Sequence, residues 1–213
     1  MADVLTLASD PTTRRAQVLA HRRSPAHHLH EEMTAGSGDA VALREVPFLT
    51  QVALRAEPGT PGGDAVEAAL GAALPRRVGE VTAGAGGLAV LWLAPDEFLA
   101  VAPDEAESGV LTTEYAGRLA AALGERPGQV VDLSANRTTL ELSGPAARSV
   151  LDKGCRLDLH PRVFPVGAAV ATQLGATPVI LWRTAEQTWR VLVRASFATH
   201  TVRWLLDGMR EYA

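Results

Sequence analysis

Two stretches of this chain share one local plan. "VLWLAPDEFLAVAP" (Val90–Pro103) is similar to "ILWRTAEQTWRVLVRA" (Ile180–Ala195). Each passes through a Leu-Trp pair, Leu91-Trp92 and Leu181-Trp182, turns on a short acidic segment, and returns as an apolar strand leading to a helical pattern. A repeated supersecondary unit constrains the fold strongly, because one such unit cannot bury its apolar face alone and must pack against its copy.

The rest of the chain extends the repeat. Phe48–Ala56 alternates and predicts a strand. Asp64 is placed to cap a helix with Val66, Ala69, Leu70, Ala73 and Leu74 on one face, and Pro75 ends it. Tyr115, Leu119, Ala122 and Leu123 form a second helical stripe, stopped at Gly124. The order then recurs, with strands at Val130–Leu133 and Thr138–Leu142 joined by a polar turn, Ser134–Arg137, and a helix from about Pro145 to Gly154. Three more strands follow, then a last helix capped by Ser196 with Phe197, Thr201, Trp204, Leu205 and Gly208 on one stripe. The expected fold class is α+β: two similar β-α-β-β-β-α halves, about 48–123 and 136–209, with antiparallel sheets covered by helices, in one domain over residues 41–213. On this repeat, Trp92 and Trp182 are expected at equivalent strand positions. Residues 1–40 carry Arg14, Arg15, Arg22, Arg23 and a histidine cluster but weak apolar periodicity, which predicts an N-terminal arm ordered by a partner.

Composition narrows the function classes. With 213 residues the chain buries roughly 70% of the surface its unfolded form exposes, enough for a core without metals or disulfides. The net charge of −4 argues against nucleic acid as a partner. Arginine outnumbers lysine nineteen to one, which reads as coding bias rather than function. The single cysteine, Cys155, cannot form a disulfide within the chain and fits a reducing compartment. The N-terminus lacks a signal-like apolar core, and the longest apolar run, Leu88–Ala94, is far short of the ~20 residues that span a bilayer. The expectation is a cytoplasmic protein with no membrane partner.

The densest cluster of candidate chemistry is "DLSANRTTLEL", with Asp132, Ser134, Asn136, Arg137, Thr138 and Thr139 within eight residues. A nucleophilic serine needs a base within reach and a sharp turn that exposes it. Ser134 lacks the Gly-x-Ser-x-Gly context and sits where polar residues satisfy a turn, and Asp132 is placed to cap that turn or pair with Arg137. His21, His27, His28 and His30 have no metal-ligand spacing. Ala83–Gly87 is glycine-rich but precedes a strand, so it reads as a hairpin loop and not a phosphate cradle. Trp92, Trp182, Trp189 and Trp204 fall on apolar faces, and Cys155 has only Lys153 and Arg156 beside it to lower its pKa. A pterin pocket needs a carboxylate for the ring's donors; Asp132, Glu141 and Asp158 are available, none in an assignable motif. No catalytic, cofactor-binding or metal-binding residue is assigned.

Several segments carry a resemblance. "RRSPAHHL" (Arg22–Leu29), "LREVPFLTQVALR" (Leu43–Arg55), "LWLAPDEFLAV" (Leu91–Val101), "VVDLSANRTTLELSGPAARSVLDKGCRLDLHP" (Val130–Pro161) and the late "LLDG" resemble the gamma subunit of heterotetrameric sarcosine oxidase, in the right order over nearly the whole chain. The resemblance implies the folate-binding fold of the glycine cleavage T protein, itself built from related halves. It implies alpha, beta and delta subunits as partners, with alpha in direct contact. The complex it implies oxidises the N-methyl group of sarcosine to give glycine, hydrogen peroxide and 5,10-methylenetetrahydrofolate. It places FAD, FMN, NAD and tetrahydrofolate on the alpha and beta subunits and zinc on delta, with no cofactor and no catalytic role on this chain. A stand-alone folate-dependent aminomethyltransferase-like protein is the alternative. Lys153-Gly154-Cys155 matches the start of a motif in folate-dependent proteins that maintain iron–sulfur enzymes, but the chain continues Arg-Leu-Asp where that motif has an aromatic and Gly-Gln-Glu.

Overall fold

The computed structural model describes residues 10–212 and places its ten strands in two antiparallel five-stranded sheets. The first sheet holds β2 (Thr50–Arg55), β3 (Val81–Ala83), β4 (Ala89–Ala94), β5 (Glu97–Ala102) and β6 (Gln129–Asp132), in the order β3-β4-β5-β2-β6. The second holds β1 (Ala42–Val46), β7 (Arg137–Ser143), β8 (Ala169–Leu174), β9 (Thr177–Ala185) and β10 (Thr188–Arg194), in the order β8-β9-β10-β7-β1. The two orders are identical once β3 is matched to β8, β4 to β9, β5 to β10, β2 to β7 and β6 to β1.

Two halves are therefore present, with one addition. In chain order each repeat opens with an edge strand that joins the other repeat's sheet: β1 pairs with β7, and β6 pairs with β2. The strands around Ser134–Arg137 thus do not form a hairpin. The turn carries the chain from one sheet to the other.

The two clusters of helices lie on the outer faces. α3 (Pro61–Leu70) and, after the short α4 (Glu105–Ser108), α5 (Thr112–Leu123) pack Val66, Leu70, Leu119 and Leu123 onto Val52, Leu54, Val90 and Phe98. α2 (His30–Ala35), α6 (Ala147–Asp152) and α7 (Ala198–Met209) cover the second sheet. The inner faces meet through Leu91, Leu99 and Val101 on one side and Ala169, Ile180 and Leu192 on the other. Some element ends differ from expectation. The side chain of Thr60, not Asp64, caps α3 by accepting from the Gly63 amide at 3.3 Å, and Gly71 in the left-handed region ends it well before Pro75. Ser196 lies inside a 3₁₀ turn (Ala195–Phe197), and the side chain of Phe197, at the cap of α7, makes no capping bond.

Part of the N-terminal segment packs into the core of the second sheet. Residues 1–9 lie outside the described residues, and α1 (Pro11–His21) leads to a 3₁₀ turn, His27–Leu29, and then α2. Ala26, Leu29 and Met33 are fully buried in the core of the second sheet. Their spacing of three and four is a helical stripe that the surrounding histidines and glutamates obscure in the sequence. Burying a side chain the size of leucine or methionine is worth roughly 1.5–3 kcal/mol, so Leu29 and Met33 fasten residues 26–33 to the second sheet.

The Leu-Trp pairs are not equivalent. Both hairpins are two-residue turns with a register irregularity beside them, and they match as Ala94↔Glu97 with Trp92↔Phe98, and Ala185↔Thr188 with Arg183↔Trp189. Trp92 thus matches Arg183, and Leu91 matches Trp182. Trp92 packs under the helices of the first sheet, whereas Trp182 faces the other sheet. A one-residue slip in a strand exchanges its two faces, and the shared dipeptide is offset by that one residue.

Candidate functional site

The polar turn that gathers the candidate groups sits where β6 hands the chain to β7. The Asp132 carboxylate accepts from the Ser134 amide at 2.9 Å and from the Ser134 hydroxyl at 2.6 Å. Ser134 Oγ in turn accepts from the Gln51 amide of β2 at 3.0 Å. The pair therefore closes an Asx-type turn and ties it to the neighbouring strand. A hydroxyl held this way donates to a carboxylate that orients it, with no imidazole in its bonding circle. Asn136 serves through its backbone, its amide donating to Leu133 and its carbonyl accepting from Ala195.

Glu45 does the matching work where β1 hands the chain to β2. It accepts from Ser24 Oγ at 2.5 Å, Thr138 Oγ1 at 2.5 Å and the Ala26 amide at 3.1 Å. Sequence reading missed Glu45, because its role appears only once β1 is seen beside β7. Between the two crossings lies a cleft of about 310 Å³ bordered by Arg22, Phe48, Thr112, Ser134, Arg137 and Thr138. Arg22 closes one wall, bidentate to Asp104 and 4.1 Å above the Phe48 ring. Phe48 holds φ +60°, so the tight β1–β2 crossing places a bulky residue in the left-handed region.

Arg137 is the most unusual group in the stretch. It stands directly opposite Arg194 in the ladder, and among the described residues neither guanidinium has a carboxylate within bonding distance. Burial pushes its pKa down, Arg194 adds to that, and Glu97 partly opposes it. Thr139 points between the sheets with its hydroxyl unpaired and buried.

The remaining candidates are dispersed. Glu141 is held by Arg44 at 2.5 Å and Arg190 at 3.3 Å. Asp158 caps the turn at the His160 amide, 2.8 Å away. His28 meets Thr199 at 3.2 Å; among the described residues no histidine joins a metal-competent cluster. Ala83–Gly87 links β3 to β4 as a hairpin loop, with the Gly84 amide donating to Leu88. Trp189 is core, 5.3 Å from Phe164, and Trp204 packs against Gly154 and Gly175. Burial raises the Cys155 thiol pKa, the opposite of an activated nucleophile. A cleft of about 840 Å³ beside Arg55, Asp96 and Gly128 contains none of these residues.

The geometry thus places the conspicuous polar groups at strand crossings. Comparison with known proteins locates the chain among its relatives. Residues 56–211 match the model described as "Sarcosine oxidase, gamma subunit family". The chain belongs to the sarcosine oxidase gamma subunit family. The sarcosine oxidase subunit gamma of Arthrobacter sp is 60% identical over 193 residues, covering 90% of this chain and 92% of that one. That of Corynebacterium sp. (strain P-1) is 56% identical with the same coverage. A chain of the solved heterotetrameric sarcosine oxidase from Corynebacterium sp. U-96, in complex with pyrrole 2-carboxylate, matches with a TM-score of 0.83 and 53% identity, over 90% of this chain and 96% of that one. The glycine cleavage system aminomethyltransferase T from Bartonella henselae matches with a TM-score of 0.60 at 16% identity, over 85% of this chain and 56% of that one, which shows a shared fold. No helix among the described residues is long and apolar enough to cross a membrane.

Proposed function

We propose that this chain is the gamma subunit of a heterotetrameric sarcosine oxidase and that its part in the complex is structural. The observation that carries this reading is the match to a chain of the heterotetrameric enzyme along nine-tenths of this chain at 53% identity. The assembled enzyme converts sarcosine to glycine by oxidising its N-methyl group, with dioxygen reduced to peroxide and the one-carbon unit passed to tetrahydrofolate. FAD, FMN, NAD and tetrahydrofolate act on the companion alpha and beta subunits, zinc on delta, and the alpha subunit meets this chain directly. The complex is cytoplasmic.

The bonding of the candidate carboxylates supports a structural part. Asp132 is committed to Ser134, Glu141 to two arginines and Asp158 to a turn amide. A stand-alone aminomethyltransferase needs a carboxylate free to hold the pterin and a second group to move a proton. The likeness to the aminomethyltransferase rests on fold, and fold does not carry function.

The test is co-expression with the companion subunits carrying a tag on alpha. The expected result is this chain retained in equal stoichiometry with the other three. Recovery of alpha, beta and delta as an active complex without it would overturn the assignment.

A further inference from the structure

One face of β7 carries Arg137, Thr139 and Glu141 in alternation. Its two ends treat charge differently. At one end the Glu141 carboxylate is shared by guanidinia from both flanking strands. Arg44 of β1 donates to it through Nε at 2.9 Å, and Arg190 of β10 through Nε at 3.3 Å. Both arginines stand opposite Glu141 in the ladder, so the sheet clamps one carboxylate between two cations.

At the other end Arg137 stands opposite Arg194, and among the described residues no carboxylate is within bonding distance of either. Arg137 Nη1 is buried and has no hydrogen-bond partner there. Glu97 of β5 is the carboxylate whose field reaches Arg137, and no ion pair joins the two. A buried N–H without an acceptor is costly, and like charges directly opposite on neighbouring strands repel. One bound anion relieves both.

Space for that anion lies beside the pair. The walls of a cleft of about 330 Å³ include Arg137, Arg194, Thr172, Pro178, Ile180 and Leu192, and no acidic residue. Arg194 is exposed, so the cleft is reachable from solvent. A guanidinium fork matches a carboxylate in plane and spacing, and a carboxylate has two oxygens to divide between two forks. The apolar walls beside the cations fit a carbon stem, which a bare inorganic anion lacks.

We propose that the cleft between Arg137 and Arg194 binds a carboxylate carried on a short apolar stem, the two guanidinia sharing its oxygens as Arg44 and Arg190 share those of Glu141. The carboxylate comes either from a free small acid or from an acidic side chain of a companion subunit.

Thermal unfolding of the full chain in sodium propionate and in sodium chloride, at equal pH and ionic strength, tests the site, because matched salt equalises the screening of the two charges. A ligand that binds only the folded chain raises its midpoint with concentration. The expected result is a midpoint several degrees higher in propionate, with that excess lost in Arg137→Gln and in Arg194→Gln. The readout is the difference between the two salts for each chain. Arg194 is exposed, so Arg194→Gln carries the test if Arg137→Gln does not fold. Equal midpoints in the two salts, or an excess that survives Arg194→Gln, overturns the proposal.

Co-expression with the companion subunits then separates the two sources. A carboxylate supplied by a companion subunit predicts that Arg194→Glu is retained on tagged alpha about tenfold less than the unsubstituted chain. Full retention of Arg194→Glu assigns the site to a free acid. This second measurement rests on the gamma-subunit reading and the first does not, so failure of the site and failure of that reading are distinguishable.

Discussion

Asp132 and Glu45 occupy matching positions on the two exchanged strands, Asp132 opposite Val52 and Glu45 opposite Leu140. Val52 and Leu140 themselves match, facing Ala100 and Val191 in their sheets. Each carboxylate thus anchors one of the two places where the chain passes from sheet to sheet. A lost hydrogen bond of this kind costs about 0.5–1.5 kcal/mol, more where a charged group is involved. Asp132→Ala should lower the unfolding midpoint by a few degrees, since 1 kcal/mol is worth about 2–4 °C in a domain of this size. Glu45→Ala should cost more, because it also releases Ser24 and Ala26. Thermal unfolding of the two variants checks the order, and limited proteolysis should find a new cut near Ser24 only in Glu45→Ala.

Arg137 and Arg194 are like charges directly opposite on neighbouring strands. Such a pair is destabilising, and an opposite-charge pair contributes roughly 0.2–1 kcal/mol. Arg194→Glu should therefore raise the urea midpoint at low salt, with the gain shrinking as salt rises. A lower midpoint would mean that the pair is not repulsive in the folded chain.

The Tyr115 hydroxyl is buried and has no hydrogen-bond partner. Burial raises its pKa, and Arg118 opposes that by a smaller amount. The folded chain then holds this proton more tightly than the unfolded chain does. The contribution is present below the ordinary tyrosine pKa of about 10 and is lost as pH rises through the raised folded value. Tyr115→Phe should stabilise the chain at neutral pH by about 1 kcal/mol and make its stability fall less steeply above pH ~10. Unfolding midpoints from pH 7 to 11 test both parts.

Gly144 closes β7 with φ +114°, and an added Cβ would lie 2.6 Å from the Ala40 carbonyl oxygen. Conformation and space both exclude a side chain there. Gly144→Ala should cost more than the ~1 kcal/mol usual for an unfavourable backbone substitution, because β1 and the segment before it must shift. Denaturant unfolding gives the number; a loss below that value would mean the turn relaxes freely.

The hairpins and covering helices were legible because alternation and helical spacing report burial directly. The exchange of β1 and β6 was not, since an edge strand's partner is a tertiary choice with little local signature. Leu29 and Met33 were hidden among charged and histidine neighbours. The Leu-Trp repeat misled in register, because identity at two residues outweighed the turn that sets the pairing. Among the polar candidates, the turn-closing role of Asp132 and Ser134 was readable from residue type, while Glu45 needed the assembled sheet.

The bonds of Asp132 and Ser134 tie the polar turn between β6 and β7 to β2. The decisive measurement is sarcosine turnover per bound flavin in purified, assembled complex carrying Asp132→Ala or Ser134→Ala. If both groups serve only to hold the turn, turnover per flavin stays within about twofold of the parent and any loss appears as lower yield of complex. A lost catalytic acid or base typically costs about 10²–10⁴-fold in rate, and a drop of that size in intact complex would show that the turn takes part in the chemistry.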